Sequence, residues 1–380
     1  MKVALVHDYL REYGGAERVL EALHEIFPEA PVYVAYFNPK GLGSKGDAFR
    51  GWDIRSSWLQ KVPFANKLIS PFRIFAPMIF EGFDLSEYDL IISSCNVYFS
   101  KAVITKPGSL HISYIHTPPR YLYGYATSFN YKKHLLTRIG GELINHILRI
   151  YDFETSQRPD ILVANSKNVA DRIKKFYRRE AVVIYPPVDI RIKNQESRIK
   201  GEKDYFLTVG RLVKGKGTDL IIEACSKLRL PLKVVGVGPE LERLIKIATF
   251  ASERTRNDIQ FLGQVSDERL AGLYQGAKAT ILASSDEDFG IVPVESMAAG
   301  TPVIAPKSGG YLETVIDGET GVLYGGPGQV TVESLVGALR EFREGKFKAD
   351  ACRKQAEKFS KNKFKKEFLK FINKKLDKRV

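Results

Sequence analysis

The segment Ala279-Thr-Ile-Leu-Ala-Ser-Ser-Asp-Glu-Asp-Phe-Gly-Ile-Val-Pro-Val-Glu-Ser-Met-Ala-Ala-Gly300 predicts a buried strand, a glycine-containing loop and a short helix, in that order. We expect the helix to begin near Pro293 and to end at Gly300. Glu287 then lies in the loop and Glu295 on the helix. Because a helix start beside a glycine presents unpaired backbone N–H groups, it suits an anion such as a diphosphate. The two carboxylates are then placed to bind sugar hydroxyls around that anion.

Strand-like apolar runs alternate with amphipathic helical segments in two series, which is typical of parallel, doubly wound sheets. The prolines and the charged run within residues 185–203 indicate a linker between the series. We therefore expect an α/β protein with two Rossmann-like domains whose strand carboxyl ends face an interdomain cleft. The expected strands lie at residues 2–7, 31–36, 90–93, 113–115, 161–164 and 182–185, and then at residues 205–210, 232–235, 259–262, 279–282, 302–305 and 321–324.

A second motif, Leu207-Thr-Val-Gly-Arg-Leu-Val-Lys-Gly-Lys-Gly217, follows the first strand of the second series. A glycine lets the backbone turn closely there, so Arg211 and Lys216 can project toward phosphate oxygens. When a bound nucleoside diphosphate is the leaving group of a reaction, it gains negative charge. Fixed cations at this place then lower the activation barrier, because they stabilise that charge. The alternative interpretation is a solvated basic turn.

Two segments of the first half carry further candidates. Gly14-Gly-Ala-Glu-Arg-Val19 follows the first strand and opens a helix, which favours backbone contacts with a phosphate; a simple helix cap is the alternative. His116 lies in Tyr114-Ile-His-Thr-Pro-Pro-Arg-Tyr121, a loop rich in aromatic and hydrogen-bonding groups that suits sugar recognition. A structural histidine is the alternative there.

These segments resemble the retaining glycosyltransferases of the GT-B fold, in the family called glycosyltransferase group 1 or family 4. The segments at residues 14–19, 88–94 and 116–121 are similar to the branch that uses GDP-mannose. Around the two glutamates, the residues that fall in register are Phe289-Gly290, Pro293, Glu295-Ser-Met-Ala, Gly300-Thr-Pro-Val-Ile-Ala and Gly309-Gly310.

The resemblance implies a role for each matching residue. Glu287 contacts hydroxyls of the transferred sugar, Glu295 contacts the nucleotide ribose, and His116 faces the hexose. The residues implied to be catalytic are Glu287, His116, Arg211 and Lys216. Those implied to bind the donor are Gly14, Gly15, Arg211, Lys216, Gly236, Leu262, Glu287, Phe289, Gly290, Ile291, Val292 and Glu295.

The resemblance also implies the reaction. We expect a retaining, metal-independent hexosyltransferase that moves mannose from GDP-mannose onto a saccharide or lipid-linked saccharide acceptor, in surface polysaccharide or glycolipid synthesis. A front-face displacement is implied, in which the departing phosphate helps to deprotonate the acceptor. A UDP-sugar glucosyltransferase and a non-catalytic nucleotide-sugar-binding protein are the alternatives. Asp286-Glu-Asp288 offers a further alternative, because an Asp-x-Asp motif binds a divalent cation in the other large glycosyltransferase fold.

The domains expected are an acceptor-side domain at residues 1–188, a nucleotide-sugar-binding domain at residues 189–360, and a basic helix at residues 361–380 that crosses back to the first domain. The net charge of the 380 residues is +14, and the last 40 residues contribute +9 of it. We favour docking of that helix on the protein over contact with anionic lipid, because its apolar residues follow the helical period. They are Phe364, Phe368, Leu369 and Ile372.

Residues 57–83 are rich in aromatic and basic residues, and we favour interior packing for most of them. Peripheral contact with an anionic inner membrane surface stays open as a second interpretation. The three cysteines and the absence of a predicted signal or membrane span favour a cytoplasmic protein. No nucleic-acid-binding module accompanies the positive charge. The apolar and aromatic members of the region are Trp58, Phe64, Leu68, Phe72, Phe75, Ile79 and Phe83.

Overall fold

The computed structural model of the protein describes residues 1–68, 71–125, 135–190, 204–255 and 258–377. These residues form two compact units. Within the described ranges, the first unit takes residues up to 187 and from 364 onward, and the second takes residues 188–363. Each unit is built on one parallel sheet covered by helices.

The sheet of the first unit is entirely parallel, and it contains the six strands expected in this half together with one that was not expected, Ile54–Ser56. That strand has only three residues, of which one is apolar, and it lies at the sheet edge. The sequence therefore contains no apolar run there that would have predicted a strand. The strands are β1 (Val3–His7), β2 (Val32–Val34), β3 (Ile54–Ser56), β4 (Leu90–Cys95), β5 (Leu110–Ile115), β6 (Ile161–Ala164) and β7 (Val182–Val183). Their order is β3-β2-β1-β4-β5-β6-β7.

The sheet of the second unit has the corresponding order for its six strands. They are β8 (Tyr205–Val209), β9 (Leu232–Val235), β10 (Ile259–Gly263), β11 (Ala277–Ile281), β12 (Val303–Pro306) and β13 (Gly321–Tyr324). The order is β10-β9-β8-β11-β12-β13, again with every neighbouring pair parallel. In both sheets the order reverses beside the first strand, and open α/β sheets bind ligands at such a switch point. The predicted pair of doubly wound parallel sheets is confirmed.

The α-helices of the first unit are α1 (Gly15–Ile26), α2 (Ala65–Leu68), α3 (Ala76–Glu81), α4 (Leu135–Ser156) and α5 (Lys167–Tyr177). Those of the second are α6 (Thr218–Leu228), α7 (Leu241–Thr255), α8 (Asp267–Gln275), α9 (Ile291–Ala298), α10 (Tyr311–Thr314), α11 (Val332–Glu341) and α12 (Ala349–Glu357); α13 (Lys361–Leu376) ends the described chain. Among the described residues, no helix has the length and hydropathy needed to cross a bilayer.

Helix α13 packs into the core of the first unit. Phe364, Phe368 and Ile372 recur every four residues, are at most 2% exposed, and join the core on the sheet face that also holds α1. The expected docking of this helix is confirmed for these three residues. It is wrong for Leu369, which is 39% exposed because one further residue turns the side chain by about 100° around the helix.

The region at residues 57–83 is only partly packed inside. Ile79 is buried, and Phe72 and Phe83 pack against a core on the opposite sheet face from α1. Trp58, Phe64 and Phe75 are exposed, so interior packing is wrong for these three. The side chain of Leu68 lies outside the described residues.

Phe368→Ala is expected to destabilise the first unit by about 3–5 kcal/mol, because it removes a fully buried aromatic ring and leaves a cavity. Leu369→Ala, the matched control on the adjacent exposed position, is expected to cost less than about 1 kcal/mol. Urea unfolding followed by tryptophan fluorescence measures this in the first unit alone, because Trp52 and Trp58 are the two tryptophans of the chain. Equal losses in the two variants would contradict the packing of α13.

Candidate functional site

The loops that follow β8 and β11 are pressed together at the switch point of the second sheet. Gly217 lies before α6 with φ +67°, and a Cβ atom there would lie 2.6 Å from the carbonyl oxygen of Ala283. Only glycine fits both the left-handed backbone and this close approach. The contact brings Lys216, on the first loop, to the segment that carries Glu287 on the second.

Lys216 and Glu287 form an ion pair at this place. The Lys216 Nζ donates to the Glu287 Oε2 at 2.7 Å, and the Tyr311 hydroxyl lies 3.5 Å from the same oxygen. The side chains of Lys216 and Glu287 are 35% and 20% exposed. The pair is therefore partly shielded yet open to a ligand, and it places a cation beside a carboxylate, as a sugar joined to a phosphate requires.

The backbone of Glu287 is held by the Gly309-Gly310 pair. The Gly310 N–H donates to the Glu287 carbonyl at 2.9 Å. A Cβ atom on Gly309, whose φ is +55°, would lie 2.5 Å from the same carbonyl oxygen. Larger residues would displace the loop, so these glycines fix the position from which Glu287 extends.

Helix α9 begins at Ile291, two residues before the expected start near Pro293. Gly290 precedes it with φ +91°. Pro293 lies in the first turn, where a backbone N–H has no intrahelical acceptor, so a proline there removes no hydrogen bond of the helix. Ile291 and Val292 are half-buried at the start of this helix.

Glu295 lies one turn into α9, as expected. Its Oε2 accepts a hydrogen bond of 3.0 Å from the hydroxyl of Tyr274, a residue of α8 that is 2% exposed. A buried tyrosine has few alternative orientations, so it fixes the carboxylate. Tyr274 and Tyr311 were missed from the sequence, because each is separated from its glutamate by more than 20 residues and no local pattern connects them.

Gly236 directly follows β9, and Leu262 is the second-to-last residue of the neighbouring strand β10. A Cβ atom on Gly236 would lie 1.9 Å from the Gly210 carbonyl oxygen, so this position lets the loops after β8 and β9 touch. Leu262 and Val292 pack beside Tyr274 in one small apolar cluster. Arg211 is exposed in the loop after β8.

The Phe289 side chain is buried inside the second unit, although the sequence assigned this residue to the donor site. Its ring is 3% exposed and packs edge-on against Phe359, with ring centroids 5.3 Å apart. Because the Phe289 ring is buried, only the backbone of this residue could contact a nucleotide-sugar donor. The ring instead anchors the loop that carries Glu287.

In the first unit, the segment at Gly14 contains a helix cap. The Gly14 N–H donates to the Glu17 Oε2 at 2.8 Å, and the Glu17 Oε1 lies 3.5 Å from the Nε2 of His7. The side chain of the third helical residue thus reaches back to the start of α1. The Gly14 N–H is engaged by this cap, and a phosphate contact of Gly14 and Gly15 stays a prediction.

His116 lies directly after β5 and is buried. Its Nε2 is 2.8 Å from the Ser94 Oγ, and its ring lies 5.2 Å from that of Tyr114. Burial, assisted by the neighbouring His7, lowers the pKa of His116 to about 3, although Asp8 acts in the opposite direction. The imidazole is therefore neutral at ordinary pH, where it serves as a hydrogen-bonding group and carries no positive charge.

Asp8 organises the switch point of the first sheet, a role that sequence reasoning missed. Its carboxylate accepts hydrogen bonds of 2.6–3.0 Å from the backbone N–H groups of Asn96, Val97, Tyr98 and Ser100. These four amides follow β4, so one aspartate at the end of β1 fixes the neighbouring loop. The position of Asp8 at a strand end was the sequence signal available.

Among the described residues, no three His, Cys, Asp or Glu side chains form a group that could hold a metal ion. The residues of the Asp-x-Asp alternative, Asp286 and Asp288, flank Glu287 in its loop and are half-buried. Metal independence stays a prediction.

Two family models match the chain, and their matches meet within the predicted linker. The model described as Glycosyltransferase Family 4 matches residues 13–191, and the one described as Glycosyl transferases group 1 matches residues 189–363. In structure, the chain is similar to an Anabaena protein, HepE, solved in complex with UDP and glucose, with a TM-score of 0.67 and 19% identity over 98% of this chain and 99% of that one. The chain has the GT-B fold, and each of its halves matches a glycosyltransferase family model.

Curated glycosyltransferases give matches of moderate identity. An uncharacterized glycosyltransferase of Methanocaldococcus jannaschii is 31% identical over 50% of this chain and 53% of its own length. A GDP-mannose-dependent alpha-(1-6)-phosphatidylinositol monomannoside mannosyltransferase of Mycolicibacterium smegmatis is 32% identical over 40% of this chain and 43% of its own length. The chain thus spans about half the length of the curated relatives it matches.

Stability of the first unit is expected to fall as the pH drops below about 6.5. Burial lowers the pKa of His111 to about 4, as it lowers that of His116 to about 3. The unfolded chain binds protons at these histidines near pH 6.5, whereas the folded chain keeps both neutral, so their contribution is complete above that pH and is lost below it. The expected loss is up to about 1.4 kcal/mol per pH unit for each histidine.

Urea unfolding at pH 7, 6 and 5, followed by tryptophan fluorescence, measures this loss. His111→Asn removes one titrating group outside the candidate site and should reduce the slope of stability against pH. A slope that His111→Asn leaves unchanged would contradict the neutral state of His111.

Proposed function

We propose that the protein transfers a hexose from a nucleotide sugar to an acceptor hydroxyl. The observation that carries this proposal is the Lys216–Glu287 ion pair at the switch point of the second sheet, with Nζ and Oε2 2.7 Å apart. A nucleotide sugar carries its diphosphate next to the transferred sugar. Lys216 offers a positively charged hydrogen-bond donor to the diphosphate, and Glu287 offers an acceptor to the sugar hydroxyls.

In this proposal the roles follow the chemistry of the groups. Lys216 and Arg211 bind the diphosphate and stabilise the charge that it gains as the glycosidic bond breaks. Glu287 binds sugar hydroxyls, and Glu295, oriented by Tyr274, binds the ribose. Neutral His116 supplies a hydrogen bond to the hexose, because its lowered pKa leaves one ring nitrogen free of a proton.

We further propose that the reaction retains the anomeric configuration and needs no metal. The leaving phosphate then takes the proton of the acceptor hydroxyl on the same face of the sugar from which it departs. Support comes from the cationic residues Lys216 and Arg211, which supply positive charge that a metal would otherwise provide. The Asp-x-Asp alternative assigns that charge to a divalent cation held by Asp286 and Asp288.

GDP-mannose is the donor that we propose, with a saccharide or lipid-linked saccharide as the acceptor. The resemblance of the segments at residues 14–19 and 116–121 supports this choice, as does the similarity to the GDP-mannose-dependent mannosyltransferase of Mycolicibacterium smegmatis. A UDP-sugar is the second candidate, favoured by the structural likeness to HepE, which was solved with UDP and glucose.

Glu287→Gln is expected to lower kcat/KM by about 10- to 100-fold, because a neutral amide binds sugar hydroxyls more weakly than a carboxylate does and no longer forms an ion pair with Lys216. Turnover of GDP-mannose and UDP-glucose with sugar acceptors measures this. The matched control is Asp286→Asn combined with Asp288→Asn, which is expected to keep activity within about threefold.

The same assay separates the metal alternative. Activity that survives EDTA supports metal-independent transfer. Activity that is lost in EDTA, restored by manganese and abolished by the two aspartate substitutions would instead support the Asp-x-Asp alternative. Full turnover in Glu287→Gln would refute the role of Glu287.

Tyr274→Phe is expected to weaken donor binding by about fivefold, since it removes one hydrogen bond worth about 1 kcal/mol that orients Glu295. Thermal-shift titrations with GDP-mannose and UDP-glucose measure this, because a ligand of the folded state raises the melting temperature with its occupancy. The titrations also show whether the protein binds the guanine or the uracil nucleotide sugar more tightly. Equal donor affinity in Tyr274→Phe and the unchanged protein would contradict the ribose site at Glu295.

A further inference from the structure

The segment in which the chain returns from the second unit to the first is bonded to the segment in which it leaves. Among the described residues, the chain leaves the first unit after residue 187 and returns to it at residue 364. The Val188 N–H donates to the Phe359 carbonyl at 2.9 Å. Val188 is completely buried and Phe359 is 4% exposed, so water does not compete for this bond. Residues 359–364 are called the return segment.

The return segment supports the loop that carries Glu287. The Phe359 ring packs edge-on against that of Phe289, and Phe289 lies two residues after Glu287 in the same loop. The backbone of Phe289 is confined on another side, because a Cβ atom on Gly310 would lie 2.4 Å from the Phe289 Cα atom. The position of Glu287 therefore depends on a ring that the return segment supplies.

Five residues later, the return segment supports the strand end that carries His116. The Phe364 ring is 2% exposed and packs edge-on against that of Tyr114, with ring centroids 6.1 Å apart. Tyr114 contacts the His116 ring, and its hydroxyl donates to the Ile184 carbonyl at 2.8 Å. Because Tyr114 is completely buried, a shift of Phe364 would displace the end of β5.

The two rings of the return segment are joined by a short and stiff piece of chain. Helix α13 begins at Lys361, directly after Ser360. The Ser360 hydroxyl accepts a hydrogen bond of 3.3 Å from the Lys363 N–H, which is the bond of an N-cap. A helix advances only about 1.5 Å per residue and fixes the direction of each side chain. The positions of Phe359 and Phe364 are therefore tied to each other.

We propose that the return segment positions Glu287 and His116 relative to the transferred hexose. Phe359 acts on Glu287 through the neighbouring ring of the loop, and Phe364 acts on His116 through the neighbouring ring of the strand. The inference rests on the proposed function, which assigns both polar residues to the hexose. The two phenylalanines are positioning residues, because each acts through another side chain.

Kinetics of Phe359→Leu and Phe364→Leu test the proposal, because leucine keeps each place apolar and removes the ring. We expect kcat to fall about tenfold in each variant, since a displacement of about 1 Å is enough to disturb the reacting geometry. The KM for the nucleotide sugar should stay within about threefold, because the groups proposed to bind the diphosphate and the ribose are unchanged. Turnover of GDP-mannose and UDP-glucose with sugar acceptors measures both constants.

The matched control is Phe342→Leu. Its ring is also buried in the second unit, where it packs against Phe206 and Phe347, two residues outside the candidate site. Its kcat and KM are expected to stay within about threefold of the original values. A melting temperature within a few degrees of the original shows that each variant is folded. Methionine, which adapts to the space of a ring, replaces leucine in any variant that falls further.

Backbone hydrogen exchange of the ligand-free variants gives a measurement that does not depend on activity. Phe359→Leu is expected to speed exchange in residues 284–290, which carry Glu287. Phe364→Leu is expected to speed it in residues 113–117, which carry His116. The Phe342 variant should leave the exchange of both segments unchanged, because its ring supports neither of them.

Two results would overturn the proposal. One is a kcat in Phe359→Leu and Phe364→Leu that equals that of Phe342→Leu. The other is exchange at residues 284–290 and 113–117 that the same two variants leave unchanged. If the unchanged protein turns over neither nucleotide sugar, the proposed function fails, and hydrogen exchange alone then decides whether the return segment holds the two places.

Discussion

The candidate donor site depends on close backbone contact between loops at one edge of a parallel sheet. A sheet covered on both faces leaves the loops after its strands as the place where polar groups converge. In the second unit, Gly217 approaches Ala283, Gly236 approaches Gly210, and Gly309 approaches Glu287, each at a distance that a Cβ atom would not permit. These contacts set where Lys216 and Glu287 lie, so the glycines define the site as much as its charged residues do.

The two sheets share a strand order but use their switch points differently. In the second unit, the charged groups at the switch point have partners with exposed atoms, and a ligand can replace or join those partners. In the first unit, the Asp8 carboxylate is saturated by four backbone N–H groups and is 2% exposed. An acidic residue at a switch point therefore serves structure in the first sheet and is suited to binding in the second, because the number of protein hydrogen bonds differs.

Buried polar groups also determine what the first unit presents to its surroundings. The buried Lys101–Asp152 ion pair fixes the rotation of α4 about its axis, and as a consequence the apolar stripe of this helix faces water. The members of the stripe are Ile139, Leu143, Ile147 and Ile150. Nothing in the periodicity of α4 reveals this, because a hydrophobic stripe of helical period ordinarily predicts the buried side. The same rule is correct for Phe364, Phe368 and Ile372 of α13, where no buried charge competes with it.

The sequence by itself determined the alternation of strands and helices, the position of Glu287 in a loop and of Glu295 on a helix, and the glycines that the loops need. These features depend on the conformation of residues close in the chain, which local patterns record. The tertiary structure decided that Lys216 pairs with Glu287, that Tyr274 orients Glu295, that the Phe289 ring is buried, and that α4 turns its apolar stripe outward. Each of these depends on residues that are distant in the chain and meet only because the sheet order brings their loops and helices together, so no local pattern could predict them.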